Sequence, residues 1–315
     1  MPKKEGDSWS VRFFRVVSAA FGALVSIIFF FIVVSFAIAV FFPSGRIISG
    51  NIAVVPIKGV ITTAENAKYF LENGGTPSEK IVEWIKEADK DTQTRAILLE
   101  IDSPGGSPVA TEEIARAVKD ANKTVIAVIR ETGASGAYWV ASAADRIFAS
   151  KMSLTGSIGV SSSRLEFAGL LKDYNVTYRR LVAGQYKDAG SRWKEMTPEE
   201  EALFQKMLDE IHAEFVSAVA ENRNLPPEKV REISDGFVLT GMQAKELGLI
   251  DEIGGKDDAI KFIEKMLNIT AKTYEFKPAK SFFEEFLGLS SYNIGRGIGA
   301  SLTQASVPHT IKITT

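Results

Sequence analysis

The feature that most constrains this chain is a long uncharged apolar run close to its N-terminus. From residue 16 to residue 42 the sequence VVSAAFGALVSIIFFFIVVSFAIAVFF contains no ionisable side chain. As a helix rising about 1.5 Å per residue it would measure roughly 40 Å, more than the ~30 Å hydrocarbon core of a bilayer. Nothing else in the sequence could surround so continuous an apolar cylinder. We therefore predict a transmembrane anchor over residues 16–42.

The charges beside this run predict its orientation. Before it stand four basic residues, Lys3, Lys4, Arg12 and Arg15. The positive-inside rule then makes residues 1–15 a cytoplasmic segment and puts the rest of the chain on the extracytoplasmic side of the cell membrane. The alternative is a cleaved signal peptide, since Ala37-Ile38-Ala39 has the small-x-small form. The run exceeds an ordinary signal-peptide core, which favours a retained anchor.

The amino-acid composition limits the classes of function and of catalytic group that this chain can have. The 37 basic and 39 acidic residues give a formal net charge of -2, which argues against a nucleic-acid binder. The absence of cysteine excludes disulfides, thiolate metal sites and a cysteine nucleophile. The two histidines, His212 and His309, are few for a catalytic zinc site or a histidine base. Acid–base chemistry is expected from Lys, Asp, Glu or Tyr.

Beyond the anchor, short apolar runs alternate with amphipathic segments, which is typical of an α/β fold. Strands are predicted at residues 52–61, 95–102, 124–129, 146–149 and 176–182. Helices are predicted at residues 77–90, 111–121, 135–144, 166–174, 198–222 and 256–267. The predicted domain boundaries are a linker at 43–51, a catalytic domain at 52–290 and a weakly ordered C-terminal tail at 291–315.

Two strand-to-helix turns carry candidate chemistry. Asp102-Ser103-Pro104-Gly105-Gly106 follows the apolar run AILLEI, and Thr132-Gly133-Ala134-Ser135-Gly136-Ala137 follows TVIAVIR. In a parallel sheet both turns fall at the carboxyl edge of the strands, where sites form. The Gly136 N–H then points to where an oxyanion could sit, and the Gly106 N–H could supply a second donor. Each turn alone also fits a structural role, with Ser135 as a helix N-cap, but the pair suggests a nucleophile.

A general base that could deprotonate Ser135 is harder to identify from the spacing of residues. His212 lies beside the apolar face of the long predicted helix and is interpreted as a packed or surface histidine, while His309 lies in the tail. Lys187, in the polar glycine-rich stretch AGQYKDAGS, is the remaining candidate. An amine accepts a proton only in its neutral form, and burial favours that form. Read alone, this lysine fits a solvated surface position better.

Four motifs in order resemble a known family. They are SPGG at 103–106, ASGAYWVASAAD at 134–145, LTGSIGV at 154–160 and GQYKDAGSRWKEMTPEE at 184–200. Together with the N-terminal anchor they resemble the short form of the signal peptide peptidase A family, over about residues 52–267. The resemblance implies a crotonase-like fold, a spiral of β-β-α units. It also implies a homo-oligomer whose active sites are shared between neighbouring subunits.

The resemblance assigns roles to particular residues. It implies Ser135 as nucleophile and Lys187 as general base of a Ser-Lys dyad. It implies Gly106 and Gly136 as oxyanion-hole donors, and Ser157 as the residue that orients the lysine amine. The activity implied is hydrolysis of remnant signal peptides or similar apolar peptides at the membrane, through an acyl-enzyme and with neither metal nor organic cofactor.

Three rival functions remain open at this point. The first is a related membrane protease that cleaves stomatin-like partner proteins with the same dyad. The second is an acyl-CoA protein of the same fold, in which paired N–H donors stabilise a thioester enolate. The third is a membrane scaffold with an inactive hydrolase domain. The set of Ser135, Ser157 and Lys187 argues against the third rival, and the anchor and the lysine motif argue against the second.

Overall fold

The computed structural model describes residues 9–41, 50–63 and 75–277. The chain divides into two compact units, Met1–Ser49 and Gly50–Thr315. Most of the predicted linker, the end of the predicted catalytic domain and the whole predicted tail lie outside the described residues, as do residues 1–8. The first unit contains helix α1, Trp9–Phe41. Judged on the residues described, no helix is sufficiently long and apolar to cross a membrane, so the predicted anchor is not confirmed.

The second unit is a mixed α/β structure. Its strands are β1 (Ile52–Lys58), β2 (Ile61–Thr62), β3 (Thr76–Pro77), β4 (Ala96–Ser103), β5 (Thr124–Ala134), β6 (Arg146–Ala149), β7 (Leu154–Gly156), β8 (Val238–Thr240), β9 (Glu252–Ile253) and β10 (Thr273–Glu275). Its helices are α2 (Ser78–Lys90), α3 (Pro108–Lys119), α4 (Gly136–Ser142), α5 (Ala168–Asp173), α6 (Pro198–Arg223), α7 (Pro227–Glu232), α8 (Gly241–Glu246) and α9 (Lys256–Leu267).

The main sheet is almost entirely parallel. Its central order is β10-β1-β4-β5-β6-β9, and every neighbouring pair along this path is parallel. The end of β5 pairs separately with β7, and β8 adds to β7 in the antiparallel sense. A short second sheet contains β2 and β3. The predicted α/β class is confirmed.

Strands β1, β4 and β5 are buried on both faces, as their continuous apolar centres predict. In β4, Ile97, Leu99 and Ile101 belong to a large apolar cluster. Helices α2, α3, α4 and α6 contribute to the same cluster. The alternate residues Ala96 and Leu98 pack on the opposite face in a smaller cluster with α9. The parallel sheet is therefore covered by helices on both sides.

One predicted strand is wrong. Residues 176–182 form neither strand nor helix and are exposed along their whole length. This segment lies between α5 and α6, where no other described strand pairs with it. A segment with strand-forming residues becomes a strand only where a partner strand satisfies its backbone groups. The other predicted strands are confirmed, but two differ in length. β5 continues past the predicted end at 129 to Ala134, so residues 132–134, predicted as part of a turn, belong to the strand, and β1 ends at Lys58 rather than at residue 61. All six predicted helices are confirmed, with small shifts of their ends.

Candidate active site

The two turns singled out in the sequence meet at one edge of the sheet. Ser103, the last residue of β4, lies beside Gly133 of β5, after a register shift that follows Ile101. Because β4 and β5 are parallel, the turns that follow them leave the sheet side by side. The Ser103 Oγ also accepts a hydrogen bond from the Gly105 N–H at 3.1 Å, which tightens the first turn.

Ser135 has a strained backbone. It stands between β5 and α4 with φ 53° and ψ -127°, a conformation that non-glycine residues rarely adopt. Such residues typically store about 1–3 kcal/mol and cluster at functional sites. Hydrogen bonds on both sides hold the residue there: its N–H donates to the Gly156 carbonyl at 2.8 Å, and its own carbonyl accepts from the Trp139 N–H at 3.0 Å. In the α/β-hydrolase fold, a sharp strand-to-helix turn with a strained backbone exposes the nucleophile.

The glycine turn packs directly against this serine. Gly105 has φ +100°, and a Cβ added to it would lie 2.7 Å from the Gly136 nitrogen and 3.0 Å from the Ser135 Cβ. A Cβ on Gly106 would lie 2.0 Å from the Ile61 carbonyl oxygen. The N–H of Ile61 in turn donates to the Gly105 carbonyl at 2.9 Å. No larger residue fits either position without a shift of the backbone.

The two predicted oxyanion donors are available. Among the described residues, neither the Gly106 N–H nor the Gly136 N–H has a hydrogen-bond acceptor. The Gly106 nitrogen lies 3.4 Å from the point that a Cβ on Gly136 would occupy. Two neighbouring unpaired N–H groups beside a serine are the arrangement that stabilises negative charge on a carbonyl oxygen. This pairing of Gly106 with Gly136 is the one that the sequence predicts.

Ser157 faces the same site from a neighbouring strand. It follows β7, which pairs with the end of β5, and its φ is +51°. The Ser157 N–H donates to the Phe237 carbonyl at 3.0 Å and its hydroxyl donates to the Gly236 carbonyl at 2.9 Å. The hydroxyl is therefore fixed by the segment that leads into β8.

A cavity of roughly 510 Å³ unites these groups. One wall holds Ser135, Gly106, Gly136 and Ser157. The opposite wall is one face of α6, with the lining residues Gln205, Leu208, Asp209, Ile211, His212 and Phe215. The Trp139 and Phe215 rings stack with centroids 5.0 Å apart, so this end of the helix is fixed to α4. Within the described residues no cluster of His, Cys, Asp and Glu could hold a metal ion.

His212 is the residue that sequence reasoning underrated. Its side chain lines the cavity, and its Nε2 is buried with no hydrogen-bond partner among the described residues. The helical spacing contained the signal, because His212 follows Leu208 by four residues and precedes Phe215 by three. What the spacing could not show is that this face of α6 lines the cavity that also contains Ser135.

Lys187 is not among the residues that line this cavity. It lies in residues 161–196, here called the arm, whose only regular element within the described chain is α5. The Lys187 side chain is exposed, and the backbone N–H of this residue donates to the Gly184 carbonyl at 3.1 Å. The loop around it is closed by Arg180, which donates to Asp188 Oδ2 at 2.7 Å and to the Gln185 carbonyl at 2.8 Å. The hydrogen bond from Arg180 lowers the pKa of the Asp188 carboxyl.

The arm exposes much apolar surface. Its exposed large side chains are Leu165, Leu170, Tyr174, Val176, Tyr178, Leu181, Val182, Tyr186 and Trp193. Leu181 is 95% exposed. Soluble monomers rarely leave so many large apolar groups in one segment in contact with water, and such surface marks an interaction site.

Comparison with known proteins decides the family. Residues 117–270 match the profile of peptidase family S49. A relative named as a protease, from Methanocaldococcus jannaschii, is 36% identical over 252 residues, covering 75% of this chain and 80% of that protein. The signal peptide peptidase SppA of Enterococcus faecium is 32% identical over 243 residues, 76% of this chain and 70% of that protein. The chain belongs to peptidase family S49.

This S49 protein is a serine peptidase of the SppA type. The chloroplastic serine protease SPPA of Arabidopsis thaliana is 32% identical over 226 residues, which cover 71% of this chain and 32% of that protein. The S49 match includes Ser135, Gly136, Ser157 and Lys187, whereas Gly106 lies before its first residue. The resemblance drawn from the four motifs is thereby confirmed at the level of the family.

Proposed function

We propose that this S49 peptidase is a membrane-associated endopeptidase that uses Ser135 as nucleophile and Lys187 of a second copy as general base. The observation that carries the proposal is the strained Ser135, held beside two unpaired N–H groups in a cavity. A serine so placed can attack a carbonyl whose oxygen sits between Gly106 and Gly136. The cavity contains no lysine among its lining residues, which is the reason to look to another copy for the base.

The proposed reaction proceeds through an acyl-enzyme. The neutral Lys187 amine takes the proton of the Ser135 hydroxyl while its oxygen bonds to the scissile carbonyl carbon. The Gly106 and Gly136 N–H groups hold the resulting oxyanion. The ammonium then protonates the leaving amine as the C–N bond breaks, which leaves an ester on Ser135. Water, deprotonated by the same amine, hydrolyses that ester and restores the serine.

Ser157 is proposed to position the Lys187 amine. Its hydroxyl already donates to Gly236, so its oxygen lone pairs remain available to an N–H of the incoming amine. Association of a second copy would also cover the amine, because the arm that carries it is rich in exposed apolar groups. Removal from water favours the uncharged, basic form of an amine.

Peptide segments at the membrane, remnant signal peptides above all, are the proposed substrates. The names of the relatives support this class, since one is a signal peptide peptidase. The uncharged run at 16–42 and the exposed rings of Phe29, Phe30 and Phe31 support membrane association. Flotation of the full chain with lipid vesicles tests that association, and a chain that stays at the bottom of the gradient argues against it. The pairing of β5 with both β6 and β7 supports the crotonase-like spiral, which an experimental structure of the oligomer would test.

The dyad is tested with a fluorogenic peptide and a fluorophosphonate probe, which phosphonylates a reactive serine with loss of fluoride. We expect Ser135→Ala to abolish both hydrolysis and labelling. We expect Lys187→Ala to abolish hydrolysis, whereas Lys172→Ala, which removes another lysine of the arm, leaves it unchanged. His212→Ala is the deciding control: if it abolishes hydrolysis while Lys187→Ala does not, the base is the histidine and the proposed dyad is wrong.

A further inference from the structure

Thr111, in the first turns of α3, carries a hydroxyl that the fold leaves without a partner. The residue is fully buried, and its Oγ1 makes no hydrogen bond within the part of the chain that the structure describes. A helical threonine commonly donates to the carbonyl one turn earlier. Here the Ser107 carbonyl accepts the Thr111 backbone N–H at 3.0 Å, but not the hydroxyl. A buried hydroxyl without a partner destabilises the folded state, so its presence requires an explanation.

The position of this hydroxyl supplies the explanation. Thr111 lines the cavity that holds Ser135. Its Oγ1 lies 2.3 Å from the point that a Cβ on Gly136 would occupy, and the Gly106 nitrogen lies 3.4 Å from that same point. Because Gly136 has no side chain, the Thr111 hydroxyl packs directly against it, next to one proposed oxyanion donor. Any larger residue at position 136 would collide with this hydroxyl.

We propose that the Thr111 hydroxyl is a third hydrogen-bond donor of the oxyanion hole, an inference that rests on the proposed function of Ser135, Gly106 and Gly136. The hydroxyl rotates about its C–O bond, so it turns its proton toward negative charge that develops between the two glycines. No bond to the protein has to be broken first, because the hydroxyl has no acceptor in the chain.

Threonine and valine have nearly the same shape, which makes Thr111→Val the matched variant. It removes the hydroxyl and retains the two-branched side chain. We expect kcat to fall about 10- to 100-fold with KM nearly unchanged, since the bond forms only as the oxyanion develops. We also expect Tm to stay the same or to rise, because an unsatisfied buried group is removed. Thr111→Ser, which restores the hydroxyl, should recover most of kcat.

Binding of a peptide boronic acid, which mimics the tetrahedral intermediate, separates a catalytic from a structural role. Thr111→Val should weaken this binding by the same factor as kcat and leave the Kd of an uncleaved peptide unchanged. Unchanged kcat in Thr111→Val would overturn the inference. So would a fall in kcat that accompanies a fall in Tm and is not recovered by Thr111→Ser. If the Ser135→Ala variant hydrolyses the peptide as fast as the wild type, the proposed function itself is refuted, whatever the result for Thr111.

Discussion

The wall that carries Ser135 and the arm that carries Lys187 are built in opposite ways. The N–H of Ser135 bonds to Gly156 on a different strand, and its neighbours on α4 are fully buried. The N–H of Lys187 bonds only to Gly184, three residues earlier, in a segment that is mostly exposed. The serine is thus fixed by the sheet, whereas the lysine is fixed only by its own loop.

This difference suggests how activity is controlled. The proposed nucleophile and oxyanion donors lie together in the folded single chain, but the proposed base is exposed to water there. Covering the arm with a second copy would bury apolar surface and bring an amine to the cavity in the same step. Burial of apolar surface stabilises such an association by about 25 cal/mol for each Å². Activity would then depend on assembly and hence on protein concentration.

The largest expected effect comes from mixing two inactive variants. Ser135→Ala and Lys187→Ala should each lower kcat by about 10⁴-fold or more, since members of a catalytic unit act together. Co-assembled, they form some sites in which an intact serine meets an intact lysine of another copy. We expect peptide hydrolysis to reappear in proportion to these mixed sites. Two copies of the same variant, mixed in the same way, are the control and should stay inactive.

The result of this mixing shows whether Ser135 and Lys187 act together from two different copies of the chain. If co-assembled variants show no activity while the wild type treated identically does, Lys187 acts within its own chain or not at all. If it acts within its own chain, the exposed arm must fold back onto the cavity, and the contrast between wall and arm disappears.

A smaller effect is expected from a charge on the apolar surface of the arm. Leu181→Asp places a carboxylate on a side chain that is 95% exposed, so the single chain should fold normally. If the arm packs against another copy, the buried carboxylate opposes assembly. We expect a smaller species in analytical ultracentrifugation and roughly 100-fold lower activity at low protein concentration, because a buried charge costs several kcal/mol.

Met266→Asp is the matched control for this prediction. Met266 is also an exposed apolar residue, 42% accessible, but it lies on α9, away from the arm. Its variant should keep both the oligomer and the activity. Equal loss in the two variants would show that neither surface is specific, and an unaffected Leu181→Asp enzyme would remove the arm from the proposed interface.

The wall was largely predictable from the sequence, for physical reasons. The runs that became β4 and β5 are continuously apolar, and parallel strands buried on both faces have this pattern. The turns after them contain the glycines that a close approach demands, and Gly105 indeed adopts φ +100°. The interpretation of Ser135 and Gly136 as neighbours of Gly106 followed from parallel strands alone.

The arm was not predictable in the same way. Residues 176–182 contain the β-branched and aromatic residues that are typical of a strand, yet a strand also needs a partner, which no local pattern specifies. Whether Lys187 is buried depends on the proposed assembly with a second copy, which no motif of a single chain specifies. Thr111 and His212 were missed as cavity residues because their positions depend on which helices cover the carboxyl edge of the sheet. Such long-range packing is a property of the fold rather than of any motif.

The smallest expected effect tests whether the shape of the lysine loop matters. Arg180 closes this loop through Asp188 Oδ2 and the Gln185 carbonyl, on either side of Lys187. Arg180→Ala removes both bonds and leaves the nucleophile and the oxyanion donors unchanged. We expect about a 10-fold lower kcat, since misplacing a catalytic group by a small distance is costly but does not remove it. Arg180→Lys, which cannot form the same two-pronged contact, should lie between wild type and alanine.

Separate readouts distinguish this loss of positioning from loss of assembly. Sedimentation of Arg180→Ala should match the wild type, in contrast to Leu181→Asp, while its kcat falls and its KM stays nearly constant. Arg146→Ala, which removes an arginine paired with Glu252 at 3.3 Å outside the arm, is the control and should leave kcat unchanged. If Arg180→Ala has wild-type kcat, the loop holds its shape without the arginine or the lysine is placed by the neighbouring copy. The wall around Ser135 and the neighbouring copy would then set the position of the Lys187 amine, and the arm would contribute only the amine itself.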